Sequence, residues 1–484
     1  MNTVRTVMVR GLMKIGPGML PFADAATAEL PLGRLLRLSL FQVTVGMAAV
    51  LVVGTLNRVM IVELAVPAWI VAVMLALPLL FAPLRALIGF KSDHHRSVLG
   101  WRRVPYIWFG TLMQFGGLAI MPFALLILSG DTTGPAFVGY IAAALAFLLV
   151  GAGLHTVQTI GLTLATDLAP EAARPRVVAL LFAVLLVGMA VSALVFGVLL
   201  SNFSQLRLIQ VIQGAAVVTM VLNCIALWKQ ESRDPAIAIK KETPNFGATW
   251  TIFSRKDQVR RRMIATALGT FGFSMQDVLL EPYGGKILNM SVSATTALTA
   301  LLATGGALGL YFAARRLTAG ADPHRIAGMG ALAGLFAFAI IIFAAPLEST
   351  TLFAVGVTLI GFGGGLFAHG TLTAMIALAT PADRGLALGA WGATQATAAG
   401  LGIAVSGIVY DLANTLAMKG HFGVVLGNPA TGYGLVYTIE ILFLVATIIA
   451  IGPLARFSNV GMIKHTRTPD LLTTSPNSSK GAMQ

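Results

Sequence analysis

The chain has 484 residues, 57% of them hydrophobic and only 11% charged, with a formal net charge of +14. Soluble domains carry roughly a quarter charged residues, so a mean hydropathy of +0.84 excludes a soluble multidomain enzyme. A single cysteine, Cys224, excludes an intrachain disulfide and a cysteine-built metal site.

The class that is left is an all-α polytopic membrane protein, since β-barrels show short alternating segments and none occurs here. Residues 1–32 read as a cytoplasmic N-terminal segment. Val4, Met8, Leu12 and Ile15 recur at helical spacing with Arg5, Arg10 and Lys14 between them, the pattern of a short helix lying on the membrane surface. Pro17, Pro21, Asp24 and Glu29 argue against a cleaved signal. A spanning helix needs roughly 20 mostly apolar residues. Twelve such stretches follow, at 38–60, 66–88, 104–128, 135–164, 176–201, 205–228, 263–283, 292–313, 326–346, 351–377, 385–410 and 433–455. They predict two six-helix halves, 33–230 and 261–458, joined by a polar cytoplasmic linker at 231–260. A Ser/Thr/Pro/Asn-rich tail, 459–484, is expected to be flexible.

Orientation follows from the basic residues. Of 33 Lys and Arg, 29 fall on the side that would hold both termini, leaving Arg58, Arg207, Lys286 and Lys419 opposite. The positive-inside rule makes that side cytoplasmic. The net charge therefore describes a membrane face that attracts anionic lipid heads, not a nucleic-acid surface.

The halves carry weak internal similarity. Gly151-Ala-Gly-Leu-His155 leading to Thr166-Asp-Leu-Ala-Pro170 ends the fourth span, and Gly363-Gly-Gly-Leu-Phe-Ala-His369 leading to Thr380-Pro-Ala-Asp-Arg384 ends the tenth. Six plus six helices in parallel repeats is the arrangement of the major facilitator superfamily. The loop after the second span supports it. Gly89, Asp93, Arg96, Arg102 and Arg103 resemble that superfamily's loop motif, with a stretched spacing after Asp93. The glycine allows close helix approach, the aspartate suits a helix N-terminus and the arginines suit carboxylates or lipid phosphates. The mirror loop, Gly320-Ala-Asp322-Pro-His-Arg325, is degenerate.

Ionisable residues inside a bilayer are costly and default to functional candidates. Arg58 and Glu63 stand near the outer end of the first span, five apart, as a local pair or snorkelling groups rather than substrate ligands. Asp277 and Glu281 are spaced i,i+4, which places them on one face of the seventh helix. They either take a proton or cation, or cap backbone and pair with Lys286. Glu440 lies inside the twelfth span and faces either the bundle or a partner. Gln114, Gln158, Gln276 and Gln395 add uncharged polar groups. With so few charges, the midplane cluster of a proton relay is not expected. His155 and His369 occupy repeat-related positions; neutral imidazole suits a metal-centred macrocycle, and ordinary packing is the plainer use. Trp101, Tyr106 and Trp108 flank the third span as an interfacial belt. No Walker loop, dinucleotide fingerprint, zincin helix or nucleophile elbow is present in plausible context, so an enzyme is not expected.

Longer strings are more specific. Arg34-Leu-Leu-Arg37-Leu-Ser-Leu-Phe41-Gln42-Val-Thr-Val-Gly46-Met47, Gly54-Thr-Leu-Asn57-Arg58-Val-Met60-Ile-Val-Glu63, Pro83-Leu-Arg85 and Gly100-Trp-Arg102-Arg103-Val-Pro105-Tyr106-Ile-Trp108-Phe-Gly110 closely resemble the PucC/LhaA family, the bacteriochlorophyll-delivery branch of the major facilitator superfamily. The resemblance runs from about 33 to 456. It implies the inner, intracytoplasmic membrane of a photosynthetic bacterium. It also implies a part in assembling light-harvesting complexes LH1 or LH2, by handing over bacteriochlorophyll, by holding the antenna α/β polypeptides, or both. The LH1–reaction-centre complex, bacteriochlorophyll synthase and membrane lipids are further partners in that picture. His155 and His369 are tentative pigment ligands by chemistry alone. Gly/Ala-rich spans ten and eleven, with Gly363 to Gly365, Gly389, Gly392 and Gly400, are candidate lipid-facing grooves for antenna helices. A secondary transporter of a small or apolar solute is the competing reading.

Overall fold

The computed structural model describes residues 30–80, 101, 103–130, 135–170, 173–231, 255, 258–378, 384–423 and 425–465. These residues form helices α1 (Leu32–Glu63), α2 (Ala68–Leu80), α3 (Val104–Leu128), α4 (Ala136–Leu168), α5 (Arg174–Leu199), α6 (Gln205–Leu227), α7 (Val259–Lys286), α8 (Val292–Thr318), α9 (Pro323–Ala344), α10 (Thr350–Ile376), α11 (Arg384–Met418) and α12 (Ala430–His465). No strand occurs among them. In hydrocarbon every backbone polar group must be satisfied internally, which leaves helix as the state of such apolar runs. Side chains stop several of them: the Ser204, Ser291, Asp322 and Ser349 oxygens accept from backbone N–H groups of the first turns of α6, α8, α9 and α10. Eleven of the helices are long and apolar enough to cross a membrane. The twelfth is α2, whose expected remainder at 81–88 lies outside the described residues.

The packing repeats. In the first half α1 packs on α5 and α6, α4 on α2 and α3, and α3 on α6. Each pairing recurs six helices later: α7 on α11 and α12, α10 on α8 and α9, and α9 on α12. The two halves meet where α2 lies on α11 and α5 on α8, again related by the same shift of six. This is the major-facilitator arrangement. Helix α1 is the most enclosed, with 83% of its most apolar stretch buried, and α7 follows with 67%, against 33% for α5 and α12. The first helix of each half therefore stands at the centre.

Lipid gives helices little hydrophobic reason to associate, so close backbone packing holds the bundle. Helix α10 shows how. A Cβ on Gly361 would sit 2.1 Å from the Leu302 carbonyl oxygen of α8, and one on Gly365 2.5 Å from that of Gly306. On its other side, a Cβ on Gly363 would sit 2.7 Å from the Gly330 carbonyl of α9. The expectation that Gly363 to Gly365 line a lipid-facing groove is thus corrected: Gly361, Gly363 and Gly365 are consumed by α8 and α9 inside the same half. Gly364, Gly389 and Gly392 meet nothing within 4 Å.

Both central helices depart from α geometry. In α1, Val50–Leu56 and Val59–Glu63 are π-helical. In α7, Met275–Val278 is a 3₁₀ turn between α segments Val259–Ser274 and Leu280–Lys286. Asp277 and Glu281 are consequently not one turn apart on a continuous helix face, as their spacing suggests.

Candidate functional site

The irregular stretches of α1 and α7 face each other. Asn57 Nδ2 donates to the Asp277 carbonyl at 3.0 Å and to that of Val278 at 3.4 Å. The 3₁₀ turn leaves those carbonyls outside the regular α ladder, and a side chain from the other half takes them up. Arg58, 4% exposed, pairs with Glu63 at 2.5 Å and donates through Nη2 to the Met290 carbonyl at 3.1 Å. Thr55 and Thr296 hydroxyls lie 3.3 Å apart, and the Trp69 N–H donates to Asp411 Oδ2 at 2.8 Å. These hydrogen bonds between the halves all come from positions 55–69, at the face opposite the chain ends. We call this set the latch.

Beside it α7 and α12 carry buried polar and acidic side chains. Glu281 Oε1 accepts from Thr299 Oγ1 at 2.5 Å and fills the space a side chain on Gly54 would need. Asp277 accepts from Gln276 Nε2. Glu440 is fully buried, and neither carboxyl oxygen has a hydrogen-bond partner. It stands about 15 Å along α12 from Ala430 at 1.5 Å per residue, mid-depth in a hydrocarbon core of roughly 30 Å. Of the two orientations open to Glu440, towards the bundle or towards a partner, the structure gives the bundle. Arg58 and Glu63 do form the expected local pair. Lys286, at the end of α7, makes no salt bridge to Asp277 or Glu281 among the described residues. Asn57, Thr299 and Asp411 were not singled out by sequence, because their partners are distant in the chain.

A second locus opens at the face of the chain ends, between α1, α3 and α6. It is a cavity of about 1270 Å³ walled by Trp101, Trp108 and Trp228 and rimmed by Arg34, Arg37 and Lys229. Arg34 is held by Gln230, through Nε to Oε1 at 3.2 Å and Nη2 to the carbonyl at 2.6 Å. The Glu231 carboxylate caps α3, accepting from the Arg103 and Val104 N–H groups. Arg37 keeps a buried Nε without a partner. Ligand sites for drug-sized molecules run to roughly 1,000 Å³, so this cavity has room for a molecule of that size or larger against mostly apolar walls. Trp101 and Trp108 thus do more than mark an interface, and Trp228 and Arg37 join them.

His155 and His369 are half-buried at the same register of α4 and α10, counted from Ala136 and Thr350. Neither lines the cavity. Of the loop-motif residues, Gly89, Asp93, Arg96 and Arg102 lie outside the described residues. Arg103 is 3% exposed and its Nε lies 3.1 Å from Asp167 Oδ2 at the end of α4. Arg103→Ala is expected to destabilise the first half by about 2–3 kcal/mol, less than a fully buried pair because Asp167 is partly exposed. A thermal midpoint within a degree of wild type in detergent would contradict this. In the mirror loop Asp322 caps α9 through the His324 N–H at 3.0 Å.

Comparison with known proteins adds the following. The family model described as PUCC protein matches residues 55–458. The chain is 58% identical over 418 residues to Protein PucC of Rhodovulum sulfidophilum, covering 85% of this chain and 92% of that one. It is 53% identical over 449 residues to Protein PucC of Cereibacter sphaeroides, covering 92% and 97%. A more distant relative, the bacteriochlorophyll synthase 44.5 kDa chain of Rhodobacter capsulatus, is 27% identical over 434 residues, covering 87% and 95%. Among solved structures, a point-mutant form of the nucleoside transporter NupG matches with TM-score 0.65 at 16% identity, over 87% of this chain and 99% of that one. A bacterial homologue of the iron transporter ferroportin, in an inward-facing state, matches with TM-score 0.65 at 16% identity, over 88% and 99%.

Proposed function

Because the chain belongs to the PUCC protein family, we propose that it is a non-catalytic assembly factor for bacterial light-harvesting complexes LH1 or LH2. It binds or delivers bacteriochlorophyll and holds antenna α/β polypeptides while the rings form. Its place is the intracytoplasmic photosynthetic membrane, with both termini cytoplasmic. The observation that carries this reading is the tryptophan-walled cavity. Its flat apolar walls suit a tetrapyrrole ring, and Arg37 and Lys229 suit the polar edge of one. No histidine lines it, so an axial nitrogen for the pigment magnesium does not come from the cavity wall; His155 and His369, half-buried on α4 and α10, stay candidate ligands away from it. A relative named for bacteriochlorophyll synthase supports the pigment as cargo. The LH1–reaction-centre complex, bacteriochlorophyll synthase and anionic lipids are proposed neighbours.

The test is gentle purification from native membranes followed by an absorption spectrum, pigment extraction and mass analysis. Bound bacteriochlorophyll with antenna polypeptides is expected. Trp108→Ala is expected to remove at least half of that pigment, whereas His155→Leu and His369→Leu each remove it only if they are ligands; full retention in all three variants contradicts pigment binding at either locus. A second reading, secondary transport of an apolar solute, is favoured by a fold shared with the nucleoside transporter NupG and with a bacterial homologue of ferroportin. A colourless protein that moves solute in vesicles would establish it.

A further inference from the structure

The tryptophan-walled cavity carries more positive charge than its own lining answers. Its walls come from α1, α3, α6 and the stretches that adjoin them, all in the first half. It is therefore a pocket of that half, not a space between the two. The three helices are tied together beneath it. Thr44 Oγ1 of α1 lies 2.9 Å from Asn223 Oδ1 of α6, and Asn223 Nδ2 donates to Thr111 of α3 at 3.0 Å, all three residues fully buried. Thr44 and Thr111 stand about 10 Å of helix deeper than Arg37 and Val104 at the rim, so the pocket has a bonded floor. At the rim the charges do not cancel. Arg34 is engaged by Gln230. Glu231, the one acid among the lining residues, accepts from the Arg103 and Val104 N–H groups. Arg37 and Lys229 are left. No side-chain hydrogen bond or ion pair holds either among the described residues, and Arg37 Nε is buried in that state. A buried charged donor without an acceptor is costly, and a ligand that brings an anion removes the cost.

We propose that the cavity selects its pigment as the free acid, a tetrapyrrole whose unesterified carboxylate lies against Arg37 and Lys229 while its ring lies against Trp108 and Trp228. This rests on the pigment reading above and narrows it to one form of the pigment. The finished pigment is an ester of that acid with a long alcohol. An ester is neutral at this edge; it accepts hydrogen bonds but leaves both cations unmatched. The acid matches them, and a guanidinium–carboxylate contact is charge-assisted and fits the planar fork of arginine. Lys229, exposed at the mouth, draws the anion in. The indole faces serve acid and ester alike, so the discrimination falls on the two cations. A membrane phospholipid would bring an anion too, as phosphate. Three of the chain's six tryptophans stand in this one wall, which favours a flat ring over two flexible acyl chains. In the order of pigment chemistry the cavity then stands ahead of the esterification that consumes the acid.

The test reads occupancy at Cys224, which is exposed, lines the cavity and is the chain's single cysteine. The full chain in phosphatidylcholine nanodiscs is alkylated with N-ethylmaleimide while bacteriochlorophyllide a or its methyl ester is titrated in, each counted per lipid. The two probes share ring and magnesium and differ by one charge. The acid is expected to halve the alkylation rate at about one tenth of the ester concentration, the worth of one hydrogen bond to a charged group. In Arg37→Gln with Lys229→Gln the two concentrations are expected to agree within about twofold, since the charged donors are gone. Arg315→Gln with Arg316→Gln takes the same charge from the exposed end of α8 and is expected to keep the preference. Equal protection by acid and ester in the wild-type chain overturns the proposal and leaves pigment binding standing; protection by neither overturns both. A preference that survives in the Arg37/Lys229 variant, or that vanishes in the Arg315/Arg316 variant, also overturns it, because the carboxylate is then not read at this rim. Alkylation slowed by phosphatidylglycerol in the nanodisc, with no pigment present, puts a lipid phosphate on the cations and overturns the pigment acid. Should the Arg37/Lys229 variant fail to fold, the wild-type comparison of acid with ester decides alone.

Discussion

Leucine in place of Gly309 is expected to leave no detergent-stable folded protein. A Cβ at this position of α8 would sit 2.2 Å from the Phe362 carbonyl oxygen of α10, with two more backbone atoms at 3.0 and 3.1 Å. None of these is the end of a flexible side chain, so the helices themselves must separate. Separation is not local. Gly305 of α8 approaches the Thr358 carbonyl and Gly361 of α10 approaches that of Leu302, so three glycines share one seam. On the opposite side α10 is fixed by Gly330 and Gly363 against α9. Alanine at Gly309 is expected to cost about 1–3 kcal/mol, in the range of overpacking, and leucine about 4–5 kcal/mol, which few proteins survive. Membrane abundance and a monodisperse elution profile check both. A leucine variant that accumulates normally would show that the seam is looser than its geometry.

Arg58→Leu is expected to loosen the latch by about 3 kcal/mol. Removing one partner of a buried ion pair costs roughly 3–5 kcal/mol. The lower end applies because Glu63 is 37% exposed and can be hydrated when left alone. The Met290 carbonyl loses its donor as well. Amide hydrogen exchange around Trp69 and over 284–290 is expected to speed up by about a hundredfold, the equivalent of that free energy, while exchange in the α8–α10 seam stays slow. Equal acceleration in both regions would mean that Arg58 supports the whole bundle and not the junction of the halves.

Much of the architecture was legible because the bilayer dictates it. The third span was read at 104–128 and the helix is Val104–Leu128; the tenth was read at 351–377 and the helix is Thr350–Ile376. Where the apolar window is shorter than the helix, the reading fell short. The eleventh span was closed at 410 and the twelfth at 455, yet α11 runs to Met418 and α12 to His465. Backbone hydrogen bonding does not stop where lipid contact does. The candidate site was legible only as parts. Arg58, Glu63, Asp277, Glu281 and Glu440 are conspicuous as charges in apolar surroundings, but nothing in their spacing says that Arg58 reaches the Met290 carbonyl or that Glu281 lies against Gly54 and Thr299. The glycines of α10 misled for a related reason: a small-residue run declares close approach without saying which neighbour approaches. Trp228 and Arg37 became visible as cavity walls only once α1, α3 and α6 were set side by side.

The π segments of α1 carry a consequence for how the molecule can move. A π turn holds one residue more than the α turn it replaces, since its hydrogen bonds run i to i+5. Returning one such turn to α geometry would swing everything beyond it about the helix axis by the angle of a single residue, about 100°. Asn57 and Arg58 lie between the two π segments. That swing, with a rise of about 1.5 Å for the residue taken up, would carry both side chains off the Asp277 and Met290 carbonyls together. The central helix of the first half is in this sense a key already part-turned in its lock.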